Sequence, residues 1–405
     1  MLKTVSLFTG AGGLDLGLEA AGFQTTIAIE MNKWACQTLE FNRPEWNVVD
    51  KDIHLVSSPE IRDIGSFQDD SPDLLIGGPP CQPFSKSAYW STGDTKRLND
   101  PRSDTLTAYL RVLKDLKPKA FLMENVFGIT YKGKNEAIDL LKKIIEEINK
   151  EEGVNYNFNI GVLNAADYGV PQIRERVFIV GSREGHKFDF PLPTHSNPSE
   201  ISDDLFPKEH WKTAWDAIGD LDGISHDDIP VTGKWANLLP SIPEGKNYLY
   251  HTVRGDGLPL FGWRTRYWSF LLKLAKDKPS WTIQAQPGSA IGPFHWKNRR
   301  LSTREICRLQ TIPDDYHVLG GRTEVQRQLG NAVPSLIGEI LGKEIRRQFF
   351  KEEVDSDLRL LMQRNKSAHQ EEPAMPVSHE YLHLLGDHQK HPGTGKGPQG
   401  IARVG

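Results

Sequence analysis

Short apolar runs at 5–8, 25–29, 73–76, 120–123 and 177–180 recur through the first half of the chain, with helically spaced segments between them. Runs this short suit buried strands, and their alternation with helices predicts an α/β fold: a doubly wound, mostly parallel sheet covered on both faces. Leu14, Leu18 and Ala21 share one helix face, and Ile138, Leu141, Ile145 and Ile148 form a longer stripe of the same kind. Both stripes read as core faces, not cofactor boxes. A sheet of this class gathers ligands outside the carboxyl ends of its strands. The segments that follow each run therefore carry the functional reading.

After residue 181 the pattern gives way to an irregular stretch, rich in Pro, Gly, Trp and Asp, that runs to about residue 299. This predicts a second, smaller domain over residues 182–325, with residues 1–181 and 326–350 forming the large one. Ser302 to Glu305 has the Ser-x-x-Glu pattern that opens a helix, which must stop near Pro313, and a further amphipathic helix follows Asn331-Ala332-Val333-Pro334. Beyond residue 350, charged residues, histidines and the glycine-rich run 392–398 predict a flexible tail over 351–405.

Hydrophobic content of 38% and charged content of 25% are those of a soluble globular protein. Cys36, Cys81 and Cys307 form no CxxC pair, which argues against a disulfide framework or a cysteine zinc site and fits a reducing cytoplasm. No apolar run approaches ~20 residues, so neither a signal peptide nor a membrane span is expected. The net charge of −4 hides a basic window: residues 251–310 carry eleven Lys/Arg against three acids, interleaved with Phe261, Trp263, Tyr267, Trp268, Phe270, Trp281, Phe294 and Trp296. Cations mixed with aromatics attract phosphates and unstacked bases, although a solvated basic face has the same composition.

Residues 77–85 read Gly-Gly-Pro-Pro-Cys-Gln-Pro-Phe-Ser, directly after the run 73–76. Three prolines restrict φ around a single thiol, which suits a nucleophile on a rigid platform; a cysteine that merely fills a core gives no reason for them. Phe8-Thr9-Gly10-Ala11-Gly12-Gly13-Leu14 follows the first run, and Glu30 ends the second about twenty residues later, a nucleotide-site layout. Asp15 stands where a dinucleotide fingerprint has its third glycine, and an acid there opposes a pyrophosphate. A ligand without phosphate fits better. Glu124-Asn125-Val126 ends the run 120–123, and Gln172-Ile173-Arg174-Glu175-Arg176 leads into 177–180. Arginines two apart on a strand point to the same side. A capping carboxylate for Glu124 and surface ion pairs for the arginines are the alternatives that these segments leave open taken singly.

In chain order, the glycine loop, Pro-Pro-Cys-Gln, Glu-Asn-Val, the QxRxR pattern, the Arg304-Glu305 helix and Gly-Asn-Ala-Val together resemble the C5-cytosine DNA methyltransferases, over residues 5 to about 345. The resemblance implies a Rossmann-like, S-adenosylmethionine-dependent methyltransferase fold and methyl transfer to C5 of a cytosine flipped out of duplex DNA. It makes Cys81 the nucleophile that adds at C6. Glu124 then contacts N3 and the exocyclic amine, either in protonated form or donating a proton as addition proceeds, which implies a raised pKa. Arg176 meets the cytosine O2, while Arg174 orders the catalytic loop and a phosphate. The implied cofactor site comprises Phe8, Thr9, Gly10, Ala11, Gly12, Gly13, Leu14, Glu30 for the ribose hydroxyls, Met31, the adenine-contacting pair Asp52-Ile53, Pro80, Leu106, Asn331 and Ala332. Gln82, Phe84 and Ser85 fall on a loop reaching Arg102 that closes over the base, and the region after Gly181 becomes the target-recognition domain.

The same resemblance implies a monomer in the bacterial cytoplasm, acting on double-stranded DNA in restriction–modification or a related phage defence, with a companion nuclease as functional partner. A tRNA cytosine-5 methyltransferase and a catalytically silent DNA-binding regulator are the alternatives; the long basic insert favours duplex DNA. His379-Glu380-Tyr381-Leu382-His383 matches the HExxH zinc pattern, but too little chain follows it to build a substrate cleft. It is read as coincidence, and no metal is expected. Residues 393–397 lack the Ser/Thr of a P-loop.

Overall fold

The computed structural model describes residues 1–67, 71–80, 104–126, 136–198, 208–222, 229–263 and 266–388. Seven strands form one sheet: β1 (Leu2–Leu7), β2 (Phe23–Glu30), β3 (Asn47–Asp50), β4 (Leu74–Gly77), β5 (Ala120–Val126), β6 (Asn157–Asn164) and β8 (Glu175–Ser182), in the order β3-β2-β1-β4-β5-β8-β6. β1 to β5 pair in parallel, and β8 runs antiparallel to both β5 and β6. The five runs expected from sequence are the five central strands. β3 and β6 are edge strands, one only four residues long and the other half-buried or exposed over nearly its whole length, so neither carries the apolar run that marks a buried strand.

Helices cover both faces: α1 (Gly13–Ala20), α2 (Lys33–Asn42), α3 (Ser58–Ile64), α4 (Asp104–Leu116) and α5 (Glu136–Glu152), with the closing α9 (Ser335–Phe349). Ile138, Leu141, Ile145 and Ile148 bury against Phe121 and Ile179 on one face. Leu14, Leu18 and Ala21 meet Leu336, Ile340 and Leu341 on the other. α1 and α9 touch backbone to backbone, because a Cβ on Gly17 would lie 2.0 Å from the Ser335 carbonyl oxygen. Only glycine permits that approach.

The remaining chain forms two further apolar clusters. One joins Leu16 to α6 (Ala214–Ile218), α7 (Thr303–Leu309), α8 (Arg322–Asn331) and Trp296; the other is aromatic, around Tyr248, Phe261, Phe270 and Phe294. α7 opens on the expected capping box and stops before Pro313: Ser302 accepts from the Glu305 N–H, and Glu305 accepts from the Ser302 N–H. The expected boundary at 325/326 falls inside α8. Short parallel pairs join β9 (His195–Ser196) to β10 (Glu209–His210), and β7 (Gln172–Ile173) to β11 (Ser280–Trp281). Among the described residues no helix is long and apolar enough to cross a membrane.

The expectation of a flexible tail is corrected for residues 351–388. Both Glu339 oxygens accept from the Arg359 and Leu360 N–H groups, and Leu358, Leu360 and Leu361 pack on the α1–α9 face. Further on, Lys276 donates to the Gln370 carbonyl at 2.7 Å, and Tyr381 stacks on Trp235 while donating to the Lys234 carbonyl. The apolar residues of this strap are one short run, Leu358 to Met362, and single residues such as Tyr381, too brief for a periodic pattern to announce them. In the HExxH segment Tyr381 is the buried residue, and Glu380 accepts from Asn237. Among the described residues no group of three His, Cys, Asp or Glu is placed to hold a metal.

Candidate active site

The strand order reverses between β1 and β4, and a cleft of about 410 Å³ opens there beyond the strands' carboxyl ends. The turn after β1 forms one wall. Gly10 and Gly12 have φ of 58° and 74°, and Phe8 adopts φ 55°, a left-handed conformation uncommon for a non-glycine residue and characteristic of functional turns. A Cβ on Gly13 would lie 2.4 Å from the Val333 carbonyl oxygen, so this glycine lets the turn seat against the segment before α9. Thr9 donates to the Ser6 hydroxyl at 3.0 Å.

Glu30 holds this wall in shape. Its Oε2 accepts from the Gly10 N–H at 2.8 Å, and its Oε1 from the N–H groups of Met31 at 3.0 Å and Asn32 at 2.8 Å. A carboxylate offers about four acceptor sites. Three are taken by backbone N–H groups, which fixes the carboxylate in the wall of the cleft. Asp15, 1% exposed, accepts from the Thr25 hydroxyl, and burial pushes its carboxyl up to about 6.

The far end of the cleft is built by β4, β5 and β8. Glu124, at the end of β5, pairs with Arg176 across the antiparallel ladder, with Oε1 3.0 Å from Nε. Burial raises the Glu124 pKa despite the opposing pull of Arg176 and Arg174. Beside it, Asn125 donates to the Pro79 carbonyl at 3.3 Å and Thr105 to the Pro80 carbonyl at 3.2 Å. These bonds pin Pro79 and Pro80, which precede Cys81, against β5 and α4. Arg174 is 2% exposed and donates to the carbonyls of Ile283, Gly330 and Asn331. Its guanidinium thus ties the site to two distant parts of the chain.

Of the residues expected from sequence, Phe8, Thr9, Gly10, Gly13, Leu14, Glu30, Met31, Pro80, Glu124, Arg174, Arg176, Asn331 and Ala332 line this cleft. Five others do not. Ala11 is buried with its carbonyl accepting from the Tyr316 hydroxyl, Gly12 faces Leu39 and Tyr316, and Ile53 and Leu106 belong to the core. The Asp52 carboxylate caps its own turn and pairs with His54 at 2.6 Å. Cys81, Gln82, Phe84 and Ser85 lie outside the described residues. Asn32, Arg327 and Gln328 line the cleft without having been expected. Asn32 had a local signal, since it caps α2 through the Ala35 N–H; the other two arrive from 300 residues away.

Solved structures share this fold. A DNA modification methyltransferase encoded in an Escherichia coli prophage superposes over 87% of this chain and all of its own, with TM-score 0.59 at 24% identity; DNMT2 of Spodoptera frugiperda covers 86% and 100%, with TM-score 0.55 at 18% identity. The sequence narrows the class. The model of the C-5 cytosine-specific DNA methylase family matches residues 2–347, and the chain belongs to that family. Relatives include the type II methyltransferases M.SacI of Streptomyces achromogenes, 38% identical over 86% of this chain and 93% of its own length, and M.NgoFVII of Neisseria gonorrhoeae, 35% identical over 82% and 83%. The protein is accordingly a DNA (cytosine-5)-methyltransferase, and its family requires a methyl donor.

Proposed function

We propose that this enzyme transfers the methyl group of S-adenosylmethionine to C5 of a cytosine extruded from a specific duplex DNA sequence, through a covalent bond between Cys81 and C6. The observation that carries the reading is the buried Glu124–Arg176 pair at 3.0 Å, set beside the pinned Pro79-Pro80 segment. Attack at C6 pushes electrons toward N3, and a carboxyl whose proton affinity is raised by burial is suited to deliver a proton there. Arg176 offers N–H donors for the O2 carbonyl. Cys36 and Cys307 are poor candidates for the nucleophile, since burial pushes both thiols up to about 12. Loss of the C5 proton and departure of the Cys81 sulfur restore the aromatic ring after transfer.

The cleft fits the donor. Its wall pairs the Phe8 ring and Met31 with an open glycine turn, and the acids Asp15 and Glu30 disfavour a phosphate but suit a cationic ligand. Bound there, the sulfonium supplies an electrophilic methyl group, while Glu30 orients a ribose hydroxyl and Phe8 packs on the ligand. Because its relatives are named type II methyltransferases, we assign the enzyme to restriction–modification, marking host DNA against a companion nuclease. Expression in a host lacking cytosine methylation, followed by bisulfite sequencing of its genome, tests this. One short sequence should be methylated by the wild type, by Glu124→Gln at least about 100-fold more slowly, and not at all by Cys81→Ser. Methylation surviving Cys81→Ser would remove the covalent step.

A further inference from the structure

The basic aromatic window separates into two kinds of residue. Phe261, Trp263, Phe270, Phe294 and Trp296 are at most 9% exposed and build the core, whereas Tyr267, Trp268 and Trp281 are 77%, 53% and 39% exposed. Its cations divide as well. Lys273 and Lys276 are buried, and Arg299 and Arg308 are held by Glu305 and Asp314; Arg266 and Lys278 face solvent. Arg266, Tyr267 and Trp268 thus form three consecutive exposed residues.

This ridge is fixed from beneath. The Arg266 guanidinium lies 5.4 Å from the ring centres of both Trp235 and Phe270, the Tyr248 hydroxyl donates to the Arg266 carbonyl at 3.0 Å, and Asn247 donates to the Trp268 carbonyl at 2.8 Å. Trp268 meets Trp281 edge to face at 5.6 Å. Holding the backbone rigid accounts for the buried groups, but not for three large rings turned outward. Exposed aromatics on a rigid support are a mark of interaction surfaces.

Its position points to the occupant. Trp281 pairs with Ile173 across the β7–β11 ladder, and Thr282 donates to the Ile173 carbonyl at 2.7 Å. Three residues of extended chain, about 10 Å, carry Ile173 to Arg176. The ridge therefore borders the end of the cleft where Glu124 and Arg176 meet, and the solvent-facing cations beside it match a polyanion.

We propose that Arg266, Tyr267, Trp268 and Trp281 form a nucleobase-contacting surface, with the rings against bases near the target cytosine and Arg266 at an adjacent phosphate. This rests on the reading that duplex DNA is the substrate. The test uses the full-length enzyme, a duplex carrying the sequence found by bisulfite mapping, and the variants Trp268→Ala, Trp281→Ala, Trp281→Phe and Arg266→Ala. Base–aromatic stacking predicts that each Trp→Ala change weakens duplex binding and kcat/KM for DNA about 10-fold or more. KM for the methyl donor and Tm should hold, and Trp281→Phe should retain most of the affinity. Arg266→Ala should lower the slope of log affinity against log salt by about one, which the tryptophan variants leave unchanged. Wild-type DNA affinity in both Trp→Ala variants overturns the proposal and leaves the ridge to a protein partner. Equal losses in donor KM and Tm overturn it too, making the pair a packing element. A wild-type enzyme that methylates the duplex alongside unaffected variants sinks the ridge alone; one that leaves the duplex unmethylated sinks the functional reading as well.

Discussion

Asp15 provides a sharp test of the electrostatics beneath the cleft. Its carboxyl is 1% exposed, with Oδ1 3.1 Å from the Thr25 hydroxyl, and burial lifts its pKa from 3.8 to about 6 against the bonds from Ser6 and Thr25. In the unfolded chain the group loses its proton near 3.8, whereas in the fold it keeps the proton until about pH 6. Its contribution to stability is therefore complete below the unfolded value and is lost as pH rises through the folded one. At ~1.36 kcal/mol for each tenfold change in proton affinity, the gap amounts to about 3 kcal/mol. Asp15→Asn keeps an acceptor for Thr25 and does not titrate. Urea unfolding of both proteins from about pH 4 to about pH 8 isolates the group, because every other titration cancels in the difference. The stability of the wild type relative to Asp15→Asn should fall by about 2–3 kcal/mol across that range. Parallel curves would refute the reasoning, since they would mean that the carboxyl titrates alike in both states.

Two further perturbations follow from packing. Gly13→Ala drives a methyl to 2.4 Å from the Val333 carbonyl oxygen; it should cost about 1–3 kcal/mol and weaken donor binding, as read by thermal melting and equilibrium titration, and an unchanged Tm would show that the turn yields freely. Tyr381→Ala removes a ring that is 3% exposed, stacked on Trp235 and bonded to the Lys234 carbonyl; global stability should drop by about 3–5 kcal/mol in urea unfolding, and a variant as stable as wild type would detach the strap from the cooperative fold.

What was legible in the sequence follows from how local each signal is. The central strands announce themselves because a strand buried on both faces must be apolar along its whole length, as β4 is. The glycine turn, Glu30 and the Glu124–Arg176 constellation are likewise written in contiguous segments whose spacing the sheet converts into proximity. Other features depend on distant partners. Nothing near Glu30 tells that its carboxylate is already engaged by three N–H groups, and nothing near Arg174 names Ile283 or Gly330 as its acceptors. The basic window is the clearest case of composition misleading. Its charge count is correct, yet two of its lysines are interior and several of its arginines are already paired. The strap failed for the complementary reason, since one short run, Leu358 to Met362, and the single Tyr381 are too brief to show a period.

The glycine contact between α1 and α9 also sets a timetable. α9 begins about 315 residues after α1 ends. Ribosomes add roughly 5–20 residues per second, so the apolar face of α1 waits on the order of 15–60 seconds for its cover. During that interval the first half of the sheet is a nascent fragment with an open flank, in need of protection from aggregation. The carbonyls of Gly330 and Asn331 that engage Arg174 emerge only at the end of the same interval. A polypeptide still tethered at residue 300 thus has neither its closed flank nor a complete cleft, and a frameshift or premature stop before α9 leaves the cell with a chain unable to modify its genome.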